Sequence, residues 1–148
     1  MHGTDPTVVD TDGDTARAAA DQLNAGVAVA SLEELLANHA DAIDAVAIYA
    51  PIAVRPDLAC QAAQAGKHLL VEKPLATSME DAKAIVEAVD GAGVIGCVDF
   101  HNRYHPGFRS LKQKLDKGKF GMPRMLFGRL SDRIEVATQW FSWAGKSG

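Results

Sequence analysis

Two short runs in this chain are apolar at every position, and they restrict its fold more than any other feature. Ala45–Ala50 reads AVAIYA and Leu69–Val71 reads LLV, with no polar residue alternating between them. A strand of this kind buries both of its faces, which a sheet with one solvated side does not provide. Between and around these runs lie segments with helix start and stop signals. The sequence therefore predicts an α/β chain, a doubly wound parallel sheet covered by helices on both faces.

The expected elements follow in order. Strands are predicted at Thr7–Asp10, Val27–Ala30, Ala45–Ala50, Leu69–Val71, Val94–Phe100 and Arg124–Leu130. Helices are predicted at Asp14–Asn24, with Asp14 as N-cap and Gly26 as stop, and at Leu32–Asn38. Ser31-Leu-Glu-Glu34 has the spacing of a capping box for the second of these. Pro56–Ala65 closes at Gly66, Ser78 caps Met79–Val89 before Gly91 and Gly93, and His105–Lys117 completes the set. Arg124–Asp132 mixes charged and apolar residues, which suits a half-exposed antiparallel strand opening a second domain. The domain boundary is accordingly expected at 122/123, with 123–148 as the start of that domain.

Composition narrows the classes. With 148 residues, 47% of them hydrophobic, the chain is long enough for a core of its own. Its 15 basic and 19 acidic residues are scattered, so no nucleic-acid-binding surface is expected. Cys60 and Cys97 sit in apolar settings and read as small buried hydrophobes in a reducing compartment. No stretch approaches a membrane span, and MHGTDPTVVD lacks the regions of a signal peptide, so a cytoplasmic protein is expected.

In parallel sheets, ligands bind beyond the carboxyl ends of the strands. That rule selects Asp10, Pro51, Glu72–Pro74 and His101–Tyr104. A carboxylate at Asp10 suits both hydroxyls of an adenosine ribose and repels a 2'-phosphate; it equally suits a turn or a helix cap in DTDGD. Glu72-Lys73-Pro74 offers a lysine that can donate a proton to a developing alkoxide. An X-Pro bond is one that can be cis, which would turn Lys73 into a cleft. The competing reading is a surface ion pair followed by a turn proline. Arg103 suits a phosphate or a substrate hydroxyl, and Asn102 can orient either. His101 and His105 have an i, i+4 spacing but no evident third ligand, so no metal site is expected. Trp140, Phe141 and Trp143 read either as an aromatic wall for a sugar or as a packing cluster.

A Rossmann dinucleotide fingerprint places G-x-G-x-x-G roughly 20 residues before the acid. Only nine residues precede Asp10, and the motif does not occur later.

Four stretches together resemble the glucose–fructose oxidoreductase, inositol dehydrogenase and rhizopine-catabolism family (Gfo/Idh/MocA). Asp10-Thr-Asp-Gly-Asp-Thr-Ala16 resembles its D-x-D-P-E-R-A stretch. Ala65-Gly-Lys-His-Leu-Leu-Val-Glu-Lys-Pro-Leu75 resembles its A-G-K-H-V-L-x-E-K-P-L signature. Val98–Pro106 resembles its G-F-x-R-R-F-x-P segment, and Lys117–Pro123 its approach to a second domain. The resemblance implies an NAD(P)-dependent oxidoreductase moving hydride between nicotinamide and a sugar, cyclitol or related polyol. It implies Lys73 as the catalytic residue, with Asp10, Pro51, Glu72, Pro74, Asn102 and Arg103 lining the cofactor. NAD is implied over NADP, though NADP remains open, and full-length relatives are expected to be homo-oligomers.

Two departures from the family accompany these matches. Pro51 is followed by Ile52-Ala-Val-Arg55 in place of the family's P-N-x-x-H, so no polar contribution is counted from that loop. The family's first strand with its Gly-rich loop, and its later G-S-H-x-x-D segment, have no counterpart in these 148 residues. The expectation is a Rossmann-like sheet lacking its first strand, and a chain inactive by itself. The alternatives are a non-catalytic interaction or regulatory module, and a relative that uses NAD transiently to cleave glycosidic bonds.

Overall fold

The computed structural model describes residues 6–129. Trp140, Phe141, Trp143 and most of the expected second-domain segment lie outside them. Strands and helices alternate: β1 (Thr7–Val9), α1 (Gly13–Leu23), β2 (Val27–Val29), α2 (Leu32–His39), β3 (Ala45–Ile48), α3 (Arg55–Gln64), β4 (His68–Glu72), α4 (Met79–Ala92), β5 (Gly96–Asp99) and α5 (Pro106–Asp116). All strand pairs are parallel.

Local signals set most helix ends. Ser31 accepts a hydrogen bond from the Glu34 amide at 3.0 Å, while the Glu34 carboxylate reaches back to the Ala30 amide at 3.0 Å. The return bond goes one residue earlier than in the usual box, so one orphan helix donor, the Glu34 amide, is satisfied, together with the amide that precedes the cap. Ser78 accepts from the Asp81 amide at 3.0 Å. Gly66 and Gly93 stand at φ +75° and +66° just past α3 and α4, where a side chain would be strained. The first helix differs from expectation at both ends. Asp12, not Asp14, is the N-cap, accepting from the Thr15 amide at 2.7 Å. Asn24, at φ 52°, ends the helix before Gly26, because asparagine tolerates the left-handed region.

The strands form two sheets, β1-β2 and β3-β4-β5, with no hydrogen-bonded pairing between β1 and β3. One hydrophobic core nevertheless joins them. Val29, Leu32 and Leu35 from β2 and α2 cluster with Ile48, Leu69, Val71, Ile85 and the helix-α3 alanines. On α3, Ala59, Ala62 and Ala63 have no solvent exposure, and the helix packs against both α4 and β4. Gly96 on β5 faces α4 so closely that an added Cβ would lie 3.2 Å from Val89.

Over the three-stranded sheet, the cover expected on both faces is found on one face only among the described residues, whereas α1 packs on β1 and β2. Val46, Ile48, Leu69 and Val71 point into the core, whereas Ala45, Ala47, His68 and Cys97 on the alternate face are exposed. No described helix packs on that side, which is why Cys97 is exposed rather than buried. Cys60 is half-buried, and burial, helped by Asp57 and Asp81, pushes its thiol pKa up. The strand expected at Arg124–Leu130 is not formed over 124–129, and Leu130 lies outside the described residues. Met125, Leu126 and Phe127 are exposed, and no described strand pairs with them to satisfy a ladder.

Leu35 is 3% exposed and Leu23 is 60% exposed. Leu35→Ala is expected to cost about 2–5 kcal/mol, and Leu23→Ala far less. Urea unfolding checks this through a shifted midpoint at unchanged slope.

Candidate functional site

The parallel arrangement brings the carboxyl ends of β3, β4 and β5 to one edge, and the expected residues lie there. β4 ends at Glu72, and Lys73 and Pro74 follow it, joined by a cis peptide bond. β5 ends at Asp99, and the chain then turns through a single 3-10 segment, His101–Tyr104. In that turn the Arg103 amide donates to the Phe100 carbonyl at 2.9 Å, and the His105 amide to the Asn102 carbonyl at 3.2 Å. The two loops meet around a cavity of about 230 Å3 lined by Lys73, Phe100, His101, Asn102 and Arg103.

The Lys73 side chain is 54% exposed, and its ammonium stands 3.9 Å from the Glu72 carboxylate. At that distance and exposure the pair holds the side chain weakly, leaving its protons available to a ligand. The Arg103 guanidinium lies over the Phe100 ring, 5.1 Å from its centroid, and makes no ion pair with a described residue. This cation–π contact keeps a planar donor at the cavity wall. The cavity thus presents an ammonium, a guanidinium, an imidazole and a carboxamide together. A second cavity of about 200 Å3, between β4, β5 and α4, is almost wholly aliphatic, with Asp90 its one charged group. It has no set of converging donors.

Other expected residues do not line this cavity. Asp10 sits past the end of β1, in the other sheet; its Oδ1 accepts from the Asp12 amide at 2.8 Å. The turn reading of Asp10 is therefore realised through one oxygen, and Oδ2 has no partner among the described residues. The cap belongs to Asp12. Pro51 is exposed and opens the 3-10 turn Ile52–Val54 that leads into α3. His105 is the N-cap of α5, its Nδ1 accepting from the Gly107 amide at 3.2 Å.

The 51–55 loop makes a polar contribution that was not expected of it. Arg55, the first residue of α3, is 6% exposed. Its Nε donates to the Ala50 carbonyl at 2.8 Å, and its Nη1 donates to the carbonyls of Glu72 at 3.0 Å and Pro74 at 2.7 Å. The one sequence signal was a cation at a helix N-terminus, where the macrodipole disfavours it.

Comparison with known proteins identifies the family. Residues 6–100 match the oxidoreductase family with an NAD-binding Rossmann fold, Gfo/Idh/MocA. The chain belongs to this family. The oxidoreductase chain is 36% identical over 103 residues to the scyllo-inositol 2-dehydrogenase (NAD(+)) of Bacillus subtilis (strain 168), covering 70% of the chain and 30% of that protein. It is 40% identical over 91 residues to the D-xylose 1-dehydrogenase (NADP(+)) 2 of Haloferax volcanii, covering 62% of the chain and 27% of that protein. Among solved structures, the WlbA dehydrogenase from Bordetella pertussis, in complex with NADH and UDP-GlcNAcA, superposes with a TM-score of 0.71 at 35% identity, covering 78% of the chain and 32% of that structure. The chain thus spans about 30% of the length of the first of these relatives. Among the described residues, no helix is long and apolar enough to cross a membrane.

The hydrogen bond from the Thr15 amide holds the Asp12 carboxyl below the ordinary aspartate pKa. A depressed folded pKa means that the cap's stabilisation is present above the unfolded aspartate value and is lost as pH falls through the folded one. In an NMR titration, the Thr15 amide shift is expected to move only below the ordinary carboxylate range. Asp12→Asn should abolish that movement while keeping the cap.

Proposed function

We propose that this chain supplies the cofactor-binding and proton-transfer part of an NAD(P)-dependent dehydrogenase acting on a sugar, cyclitol or related polyol. The observation that carries the reading is the convergence of Lys73, Asn102 and Arg103 on one cavity at the carboxyl edge of the sheet. When bound, the nicotinamide supplies hydride chemistry. The chain's own residues bind, orient and move the proton.

As the neutral amine, Lys73 takes the proton from the substrate hydroxyl during oxidation and becomes the ammonium; as the ammonium it donates that proton to the carbonyl oxygen during reduction. Its exposed side chain, only loosely paired with Glu72, is free to reach the substrate oxygen. Asn102 and Arg103 orient the substrate and the nicotinamide amide, and Glu72, Pro74 and Pro51 line the cofactor. Asp10 accepts from the ribose hydroxyls through its free oxygen, which favours NAD over NADP. The names of the relatives support the substrate class: an inositol, a xylose and a nucleotide-linked sugar acid are named with them. The domain boundary at 122/123, a cytoplasmic location and homo-oligomers of the full-length protein belong to the same reading.

A second reading, an interaction module without catalysis, draws on the exposed face of the three-stranded sheet and the unpaired edges of β1 and β3. It predicts a stable complex with another protein and no cofactor binding.

NADH binding, followed by nicotinamide fluorescence, separates the two. The dehydrogenase reading expects Asp10→Ala to weaken NADH binding by roughly tenfold, about the worth of one charged hydrogen bond. Lys73→Met should leave that binding in place and, in the full-length protein, lower polyol-dependent NADH formation by about 10²–10⁴-fold. A wild-type chain that binds neither NADH nor NADPH would sink the reading.

A further inference from the structure

We infer that Arg55 is a positioning residue for Lys73, a buried clamp that fixes the backbone on both sides of the lysine. The inference rests on the proposed role of Lys73 and adds to it the group that determines where its ammonium is delivered.

Three acceptors define the clamp. Arg55 Nη1 holds the carbonyls of Glu72 at 3.0 Å and Pro74 at 2.7 Å, the two residues that flank Lys73. Nε holds the Ala50 carbonyl at 2.8 Å, just beyond the end of β3. One guanidinium therefore ties the end of one strand to both ends of the Lys73 turn. The lysine side chain takes no part and stays 54% exposed beside the cavity.

The placement is electrostatically unusual. A cation at the first residue of a helix opposes the helix dipole, and burial adds a desolvation cost. No carboxylate lies within ion-pair distance of Arg55 among the described residues; its partners are carbonyl oxygens alone. Local rules broken in this way, with compensation supplied by one particular loop, mark a residue retained for what it holds. Lysine is a poor substitute. Its single ammonium has no planar fork to reach acceptors on two separate segments.

The consequence concerns Lys73, not the helix. Anchoring the Glu72 carbonyl fixes the peptide plane that enters Lys73, and anchoring the Pro74 carbonyl fixes the plane just beyond the Lys73–Pro74 bond; together they restrict the sector the lysine ammonium can sweep. Without the clamp the turn is free to swing Lys73 away from Asn102 and Arg103, and away from the Glu72 carboxylate.

The test uses the full chain and the variants Arg55→Lys and Arg55→Met, with folding checked by far-UV circular dichroism. Lysines are acetylated to low extent with acetic anhydride, and the rate at each site is mapped by mass spectrometry, with Lys119 as internal reference. Arg55→Lys is expected to raise the Lys73 rate severalfold relative to Lys119 at an unchanged circular dichroism spectrum. In a polyol assay of the full-length protein, kcat should fall while the KM for NAD stays in place. An unchanged Lys73 rate in a folded variant overturns the inference. Collapse of both variants also overturns it, since Arg55 would then serve the fold alone. Labelling needs no turnover, so the outcome is independent of Lys73→Met: loss of the catalytic role leaves the clamp standing, and the converse holds.

Discussion

The seating of α3 on the three-stranded sheet is the contact on which the rest of this structure depends. Ala59, Ala62 and Ala63 are fully buried there, and side chains this small allow the helix close approach to β4 and α4. Close packing of this kind transmits position, because neither partner has room to shift. The first residue of that helix is Arg55, so the depth of the alanines in the core determines where the guanidinium meets the strand ends. A chain of cause thus runs from three methyl groups to the turn that carries Lys73.

Charge at the edge of the sheet is divided between two tasks. The Arg55 guanidinium turns its Nε and Nη1 donors to backbone carbonyls, in a residue only 6% exposed. Lys73 and Arg103 keep their donors open: one has a loose carboxylate neighbour, the other is supported by the face of Phe100. Burying a cation costs less where its donors find acceptors, whereas a ligand-binding cation needs donors to spare. Arg55 meets the first requirement through three carbonyls, and Lys73 and Arg103 meet the second.

The two sheets share one core but not one hydrogen-bond ladder. Residues from β2 and α2 pack with β3, β4 and α3, while β1 and β3 each keep an unpaired edge among the described strands. The hydrophobic effect needs only contact and is indifferent to direction, so it joins the halves; backbone pairing needs a neighbour in register and does not. The same reasoning covers residues 124–129, whose mixture of charged and apolar residues reads as a strand but which have no described partner to pair with.

Much of the site was legible in the chain because its signals are local. Ser31 and Ser78 cap helices through amides three residues away, and the strands that lead into Asp10, Lys73 and His101 follow from runs of apolar residues, with their ends shifted by one residue. Competition among near-equivalent local signals blurred the first helix, where Asp12 rather than Asp14 took the cap and Asn24 rather than Gly26 ended it. Sequence by itself determined the alternation of elements, the parallel sheet and the family, since these depend on periodicity, caps and contiguous motifs. Only the tertiary structure decided that Lys73 shares a cavity with Asn102 and Arg103, which face of the sheet is open, and what Arg55 holds. The acceptors of Arg55 on the Lys73 turn lie 17 and 19 residues away along the chain, and no local rule spans that distance. It is closed by the packing of a helix on a sheet.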